Sequence, residues 1–198
     1  MNLSAATGTS ALTQLFTALN GGTLNLYTGV PPANVAATLS GNTLIGTADL
    51  AATALSGSIT ASGNNVIGSL AFTSNTFSTV AAGTITFARA LTSASAAVSD
   101  FGASSQWLAN TVVVLNQMAS NGANVYICTT AGTTAASGGP TGTGSGITDG
   151  TAVWAYVQPG TASVTLNNVA VTQSLSVLIS SATLSLRITN PVGPALVT

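Results

Sequence analysis

Apolar residues recur at Leu12, Leu15, Phe16 and Leu19, the spacing that lines up one face of an α-helix. Ser4 or Ser10 supplies a hydroxyl to cap its start. Asn20-Gly21-Gly22 ends it, because glycine accepts the left-handed conformation common just past a helix C-terminus. The period then changes. Thr23-Leu24-Asn25-Leu26-Tyr27 alternates as a strand does, and Thr28-Gly29-Val30-Pro31-Pro32 breaks it.

Beyond Pro32 the pattern predicts short strands between turns: Leu44–Ala48, Val66–Phe72, Gly83–Ala90, Ser174–Ile179 and Thr183–Ile188. Ile85 and Phe87 fall on one side of the third, Thr84 and Thr86 on the other; Leu184, Leu186 and Ile188 share a side of the last. Alanine is a weak strand former and blurs the boundaries. The pattern predicts an all-β (mainly β) chain: a β-sandwich or jelly-roll-like domain with one N-terminal helix.

The texture changes in the middle. Both tryptophans and two of the three tyrosines fall between Trp107 and Tyr156, together with a Gly/Thr/Ser tract, Thr129–Gly150. Gly102-Ala103-Ser104-Ser105 precedes this block and Pro159-Gly160 follows it; both read as joints. The expected organisation is a main sandwich domain, residues 1–103 together with 159–198, carrying a small inserted β module, residues 104–158.

Charge narrows the functional classes. Only 3% of the 198 residues are charged: Arg89, Arg187, Asp49, Asp100 and Asp149, with no Lys, Glu or His. The hydrophobic content of 46% sets the chain apart from disordered sequences, which combine low hydrophobicity with high net charge. Two isolated arginines do not neutralise a phosphate backbone or an anionic bilayer, so neither nucleic acid nor membrane is an expected partner. Little net charge keeps identical copies apart, which favours a homo-oligomer or another assembly. No run of about 18 apolar residues lacks an interrupting Ser, Thr or Gly. Met1-Asn2-Leu3-Ser4 has no basic start, so synthesis in the cytoplasm without standard export is expected. Cys128, alone between Ile127 and Thr129, reads as a buried, inert thiol.

Catalysis near neutrality needs groups that exchange protons or activate a nucleophile, and His and Lys are both missing. A pair of carboxylates, Asp100 with Asp149, is the remaining arrangement for glycoside hydrolysis. Both lie in turn-like settings, Ser99-Asp100-Phe101-Gly102 and Thr148-Asp149-Gly150, where the side chain ordinarily bonds the local backbone. Asp49 reads as a solvated strand end. No catalytic residue, metal site or cofactor is expected. Gly138-Gly139-Pro140-Thr141-Gly142-Thr143-Gly144 lacks a phosphate-binding Lys and reads as a flexible loop. What remains is aromatic: Trp107, Tyr126, Trp154 and Tyr156. They are open to two readings, a platform on which sugar rings stack or the core of a module that needs every large side chain.

At this block the sequence resembles a known repeat. The anchors, in order, are Trp107-Leu108-Ala109-Asn110-Thr111, Asn124-Val125-Tyr126-Ile127-Cys128-Thr129, Ala131-Gly132-Thr133, Gly139-Pro140-Thr141-Gly142 and Thr148-Asp149-Gly150-Thr151-Ala152-Val153-Trp154-Ala155-Tyr156. Over Ser105–Gln158 they resemble a repeat common in phage virion proteins, itself similar to small chitin- and cellulose-binding modules. Two positions depart from it: Val113 stands where the repeat usually has Tyr, and Asn116-Gln117 where it usually has Gly-Asp. The lost aromatic weakens sugar stacking more than it weakens the fold. Leu12–Pro32, with Leu19-Asn20-Gly21-Gly22-Thr23-Leu24 and Tyr27-Thr28-Gly29, resembles small proteins encoded among phage virion genes.

These resemblances imply a structural, non-enzymatic component of a tailed-bacteriophage particle, located in the virion. The first expectation is a capsid decoration or cement protein, bound to the major capsid protein or other virion subunits and displaying the module outward. The alternatives are a tail-associated adhesin that binds host glycans through Trp107, Tyr126, Trp154 and Tyr156, and a tail-tube or connector subunit.

Overall fold

A computed structural model describes residues 4–32, 34–62, 65–121, 124–156 and 163–187. Helix α1 (Ala5–Ala18) starts where Ser4 Oγ accepts the Thr7 N–H at 3.1 Å, so Ser4 is the cap. Leu12, Phe16 and Leu19 are buried, as their spacing requires, and Gly21 takes the left-handed conformation that turns the chain into the first strand. Strands β1 (Thr23–Tyr27), β2 (Leu44–Ser62), β3 (Asn65–Phe72), β4 (Thr76–Ser78), β5 (Gly83–Thr84), β6 (Phe87–Leu91) and β7 (Ala97–Gln106) follow. Then come β8 (Val112–Val113), β9 (Met118–Asn121), β10 (Asn124–Thr130), β11 (Gly132–Thr133), β12 (Ile147–Asp149) and β13 (Ala152–Tyr156). The chain returns through β14 (Ser163–Leu166), β15 (Ala170–Val171) and β16 (Ser176–Arg187).

The fold is all-β with one N-terminal helix. The main sheet runs β7-β14-β16-β3-β2-β1-β6, and β6 pairs again with β7, so seven strands close into a barrel-like ring. Closure removes the exposed edges that an open sandwich would have to protect. Inward positions alternate along each strand: Leu24 and Leu26 in β1, Ala88 and Ala90 in β6, Phe101 and Ala103 in β7, Val164 and Leu166 in β14. Many are alanine because a narrow ring has little room once the helix contributes Leu12, Phe16 and Leu19 to the same core. Gly68 sits between inward Val66 and Leu70, and a Cβ there would strike the Phe16 ring.

Several expected strands change extent. Leu44–Ala48 is the start of a 19-residue strand, β2, whose pairing with β3 slips between Leu50 and Leu55 and again between Ser56 and Thr60. Such bulges bend a strand, which lets one segment follow the curve of a barrel. Gly83–Ala90 is broken at Ile85-Thr86, whose N–H groups leave the ladder for Val169 O and Tyr27 O. Thr86 is buried, not solvent-facing. The two C-terminal candidates form one strand, β16, in which Leu184 is buried; the Leu186 side chain and Ile188 lie outside the described residues.

The joint expected at Gly102–Ser105 is strand, not loop. Residues 97–102 of β7 pair with β6, and residues 104–106 pair in parallel with β9 along the same edge. The sheet forks there, and β9-β10-β13-β12 continue it away from the ring. Pro159-Gly160 lies outside the described residues. The segment between β7 and β14 buries its own apolar cluster, formed by Val113, Ala119, Tyr126, Cys128, Ala152 and Trp154.

Candidate functional site

The antiparallel register of β10 and β13 sets Tyr156 opposite Tyr126 and Trp154 opposite Cys128. Trp107 enters from the end of β7 and packs on the same cluster, so all four candidate aromatics converge. Tyr126 and Trp154, however, are at most 1% exposed. A sugar ring needs an open aromatic face, and neither offers one. Their assignment to carbohydrate binding is therefore corrected to core, as expected where a small cluster must exclude water with few large side chains. Trp107 and Tyr156 are half-buried. The Tyr126 and Tyr156 rings meet edge to face, with centroids 6.0 Å apart. Gly139 lies against the Trp107 ring, where a Cβ would also meet the Asn121 amide.

The tract expected to be a flexible loop is tied down. Asn121 Nδ2 donates to Gly138 O at 2.9 Å and to Pro140 O at 3.0 Å. Tyr126 Oη donates to Gly142 O at 3.0 Å, and the Tyr156 N–H to Gly144 O at 2.9 Å.

Asp149 does not bond its local turn. Buried at the end of β12, its Oδ2 accepts the indole N–H groups of Trp107 at 2.8 Å and Trp154 at 3.1 Å, and its Oδ1 accepts the Ala135 N–H at 2.9 Å. Three fixed donors compensate the buried carboxylate. Gly150 follows with a φ of +66°, and any Cβ there would collide with the Thr133–Ala135 backbone.

Asp100 is likewise no turn residue. It stands in β7 directly across from Arg89 of β6 and binds it bidentately, Nε to Oδ1 at 2.7 Å and Nη2 to Oδ2 at 2.8 Å. The hydrogen bond to Asp100 holds the Arg89 guanidinium above its ordinary pKa, against the opposing effect of burial. Arg89 Nη1 also donates to Ala37 O at 3.3 Å, anchoring the loop between β1 and β2. Asp49 is solvated, within β2 opposite Thr23 of β1. Asp49 is thus the one exposed ionic side chain among those described. Cys128 is buried, its Sγ donating to Thr130 O at 3.1 Å, and burial pushes its thiol pKa up.

Two surface features escape sequence reasoning. The first is the stretch around β8, where Leu108 (61% exposed), Val112 (73%), Val114 (38%) and Leu115 (53%) present aliphatic side chains to solvent. The apolar run Val112–Leu115 is visible in the sequence, but only Val113 turns inward. The second is a groove of about 400 Å³ at the fork of the sheet, between Pro31, Phe87 and Asp100 on one side and Met118, Ile127 and Tyr156 on the other. Its walls come from six separated segments, so no local motif announces it. No protein-family model, curated protein or solved structure matches the chain.

Proposed function

We propose that this protein is a structural component of a bacteriophage particle, in first place a capsid decoration or cement subunit held by contacts with the major capsid protein or other virion subunits and with its own copies. The observation that carries the reading is the near absence of surface charge. Of the four ionic side chains described, Arg89 and Asp100 neutralise each other, Asp149 is enclosed by donors, and only Asp49 is solvated. The outer surface must therefore be built mainly of Thr, Ser, Asn, Gly and aliphatic groups. Such a surface supports packed, hydroxyl-bonded interfaces and offers almost nothing for ionic recognition. The aliphatic stretch Leu108–Leu115 supplies the apolar centre that such an interface needs. The likeness of Ser105–Gln158 to a phage virion repeat points to the particle as the setting.

The test is location. Antibody labelling of intact particles is expected to decorate the capsid shell; label confined to the tail tip would favour the adhesin, and label forming a ring at the neck or along the tail would favour the tube or connector. Particles without the protein would overturn the proposal altogether. The adhesin reading now rests on Trp107 and Tyr156 alone. Glycan-array binding by the full chain, lost in Trp107→Ala with the fold retained, is the result that would promote it.

A further inference from the structure

The groove at the fork of the sheet combines features that the assembly role does not use. Its volume of about 400 Å³ lies within the range of roughly 300–1,000 Å³ typical of small-molecule sites. Half-buried Tyr156 provides an aromatic wall and half-buried Ile127 and Pro31 aliphatic ones, while Phe87 and Met118 are buried and close the floor. The site exists only because β7 changes partner: Phe87 comes from β6 opposite Gly102, and Met118 from β9 opposite Ser104. Gly102 has no side chain, and Met118 occupies the space a Cβ would take.

One polar group gives the groove a direction. The Arg89–Asp100 pair is unevenly covered, with the Arg89 side chain 7% exposed and that of Asp100 18%. Asp100 is the member of the pair that lines the groove; Arg89 does not. Each carboxylate oxygen takes one N–H from Arg89 and keeps a further lone-pair direction. The groove thus presents an acceptor edge whose charge is already compensated. An anion meets that edge unfavourably. A cation loses its hydration against a carboxylate that is already paired, on otherwise apolar walls. A neutral donor fits both conditions.

We infer that this groove is a binding site for a small neutral ring compound that carries a hydroxyl or N–H donor, with the ring against Pro31, Ile127 and Tyr156 and the donor on Asp100. The inference is independent of whether the protein belongs to a phage particle. Phenol is the minimal probe, with anisole, benzoate and benzylammonium as comparators.

The experiment is titration of the ¹⁵N-labelled full chain followed by amide shifts. Phenol is expected to shift Phe87, Gly102, Met118 and Tyr156 saturably, in the millimolar range for so small a ligand. Anisole, which keeps the ring and loses the donor, should bind about tenfold more weakly. Benzoate and benzylammonium should bind no better than anisole. Ile127→Trp, which fills the groove, and Tyr156→Ala, which removes a wall, should each abolish saturation while the spectrum stays dispersed. The second variant serves if the first does not fold. The separate cleft beside Ser56, Ser69, Ser74 and Ser181 is an internal control that should not respond. Absence of saturable shifts with phenol, equal affinity for anisole, tighter binding of either ion, or shifts indifferent to both substitutions would each overturn the inference.

Discussion

Trp107 and Trp154 donate their indole N–H groups to the same carboxylate oxygen, Asp149 Oδ2, at 2.8 and 3.1 Å. One indole sits at the end of the long strand β7 and the other in the middle of β13, so a single buried acceptor locks the fork of the sheet to the second core. The other oxygen holds the Ala135 backbone, which fixes the loop after β11 to the same point.

Because every partner of Asp149 is a donor, no amide can replace it. Asp149→Ala is expected to lower unfolding free energy by about 3 kcal/mol, and the nearly isosteric Asp149→Asn by about 2 kcal/mol, since its NH₂ must face an N–H. Urea unfolding followed by tryptophan fluorescence measures both. An Asn variant as stable as the parent would show that the three donors do not require an anion.

The Arg89–Asp100 pair is buried on the Arg side and directly cross-strand, so removing one partner strands a charge. Arg89→Ala should cost about 3 kcal/mol, whereas the double change Arg89→Met with Asp100→Leu should recover most of that loss. Equal losses in the single and double variants would place the energy in packing, not in the pair.

The helix, its cap and β1 were legible because their signals are local: a 3.6-residue stripe, a serine hydroxyl, a Gly-Gly stop and strict alternation. The alanine-rich second half of β2 was not legible. Ala51, Ala52, Ala54, Ser56 and Ser58 carry little strand preference, and what makes this stretch strand is its pairing with β3 at Leu55, Ser56 and Thr60–Ser62. The candidate aromatics do gather in one place, but the choice between core and platform depends on long-range packing: Gly139 lies against the Trp107 ring and the Gly142 carbonyl accepts the Tyr126 hydroxyl, both from a distant loop. The roles of Asp100 and Asp149 are hidden from the sequence for the same reason: their partners, Arg89, Trp107 and Trp154, are brought by tertiary pairing, not by neighbouring residues.

Stability should be nearly independent of pH between roughly 5.5 and 7.5, because no Glu, Lys or His is present to link protons to folding there. A change above about 1 kcal/mol across that window in urea titrations would contradict it. The alkaline side differs. The Cys128 thiol is raised by burial, so its contribution is complete below the ordinary thiol value of about 9.0 and falls as pH climbs through the folded value. The unfolded chain ionises first and is favoured. Cys128→Ala should therefore make the alkaline decline shallower, and in the parent a thiol reagent should react only at the rate of opening.

Association should be governed by apolar contact and indifferent to ionic strength. With Asp49 the one solvated ionic side chain among those described, no array of ion pairs exists for salt to screen. Self-association followed by sedimentation velocity should change less than about tenfold between low and moderate sodium chloride. Sulfate, which is excluded from protein surfaces, should strengthen it. The aliphatic stretch supplies the sharper discrimination: Val112→Asp and Leu115→Asp alter exposed side chains, so they should leave unfolding free energy within about 0.5 kcal/mol of the parent. If those side chains form the centre of the contact, each charge must be desolvated there without a partner, and association should fall by at least about tenfold. Unchanged association in both variants would move the interface away from β8 to another part of the uncharged surface.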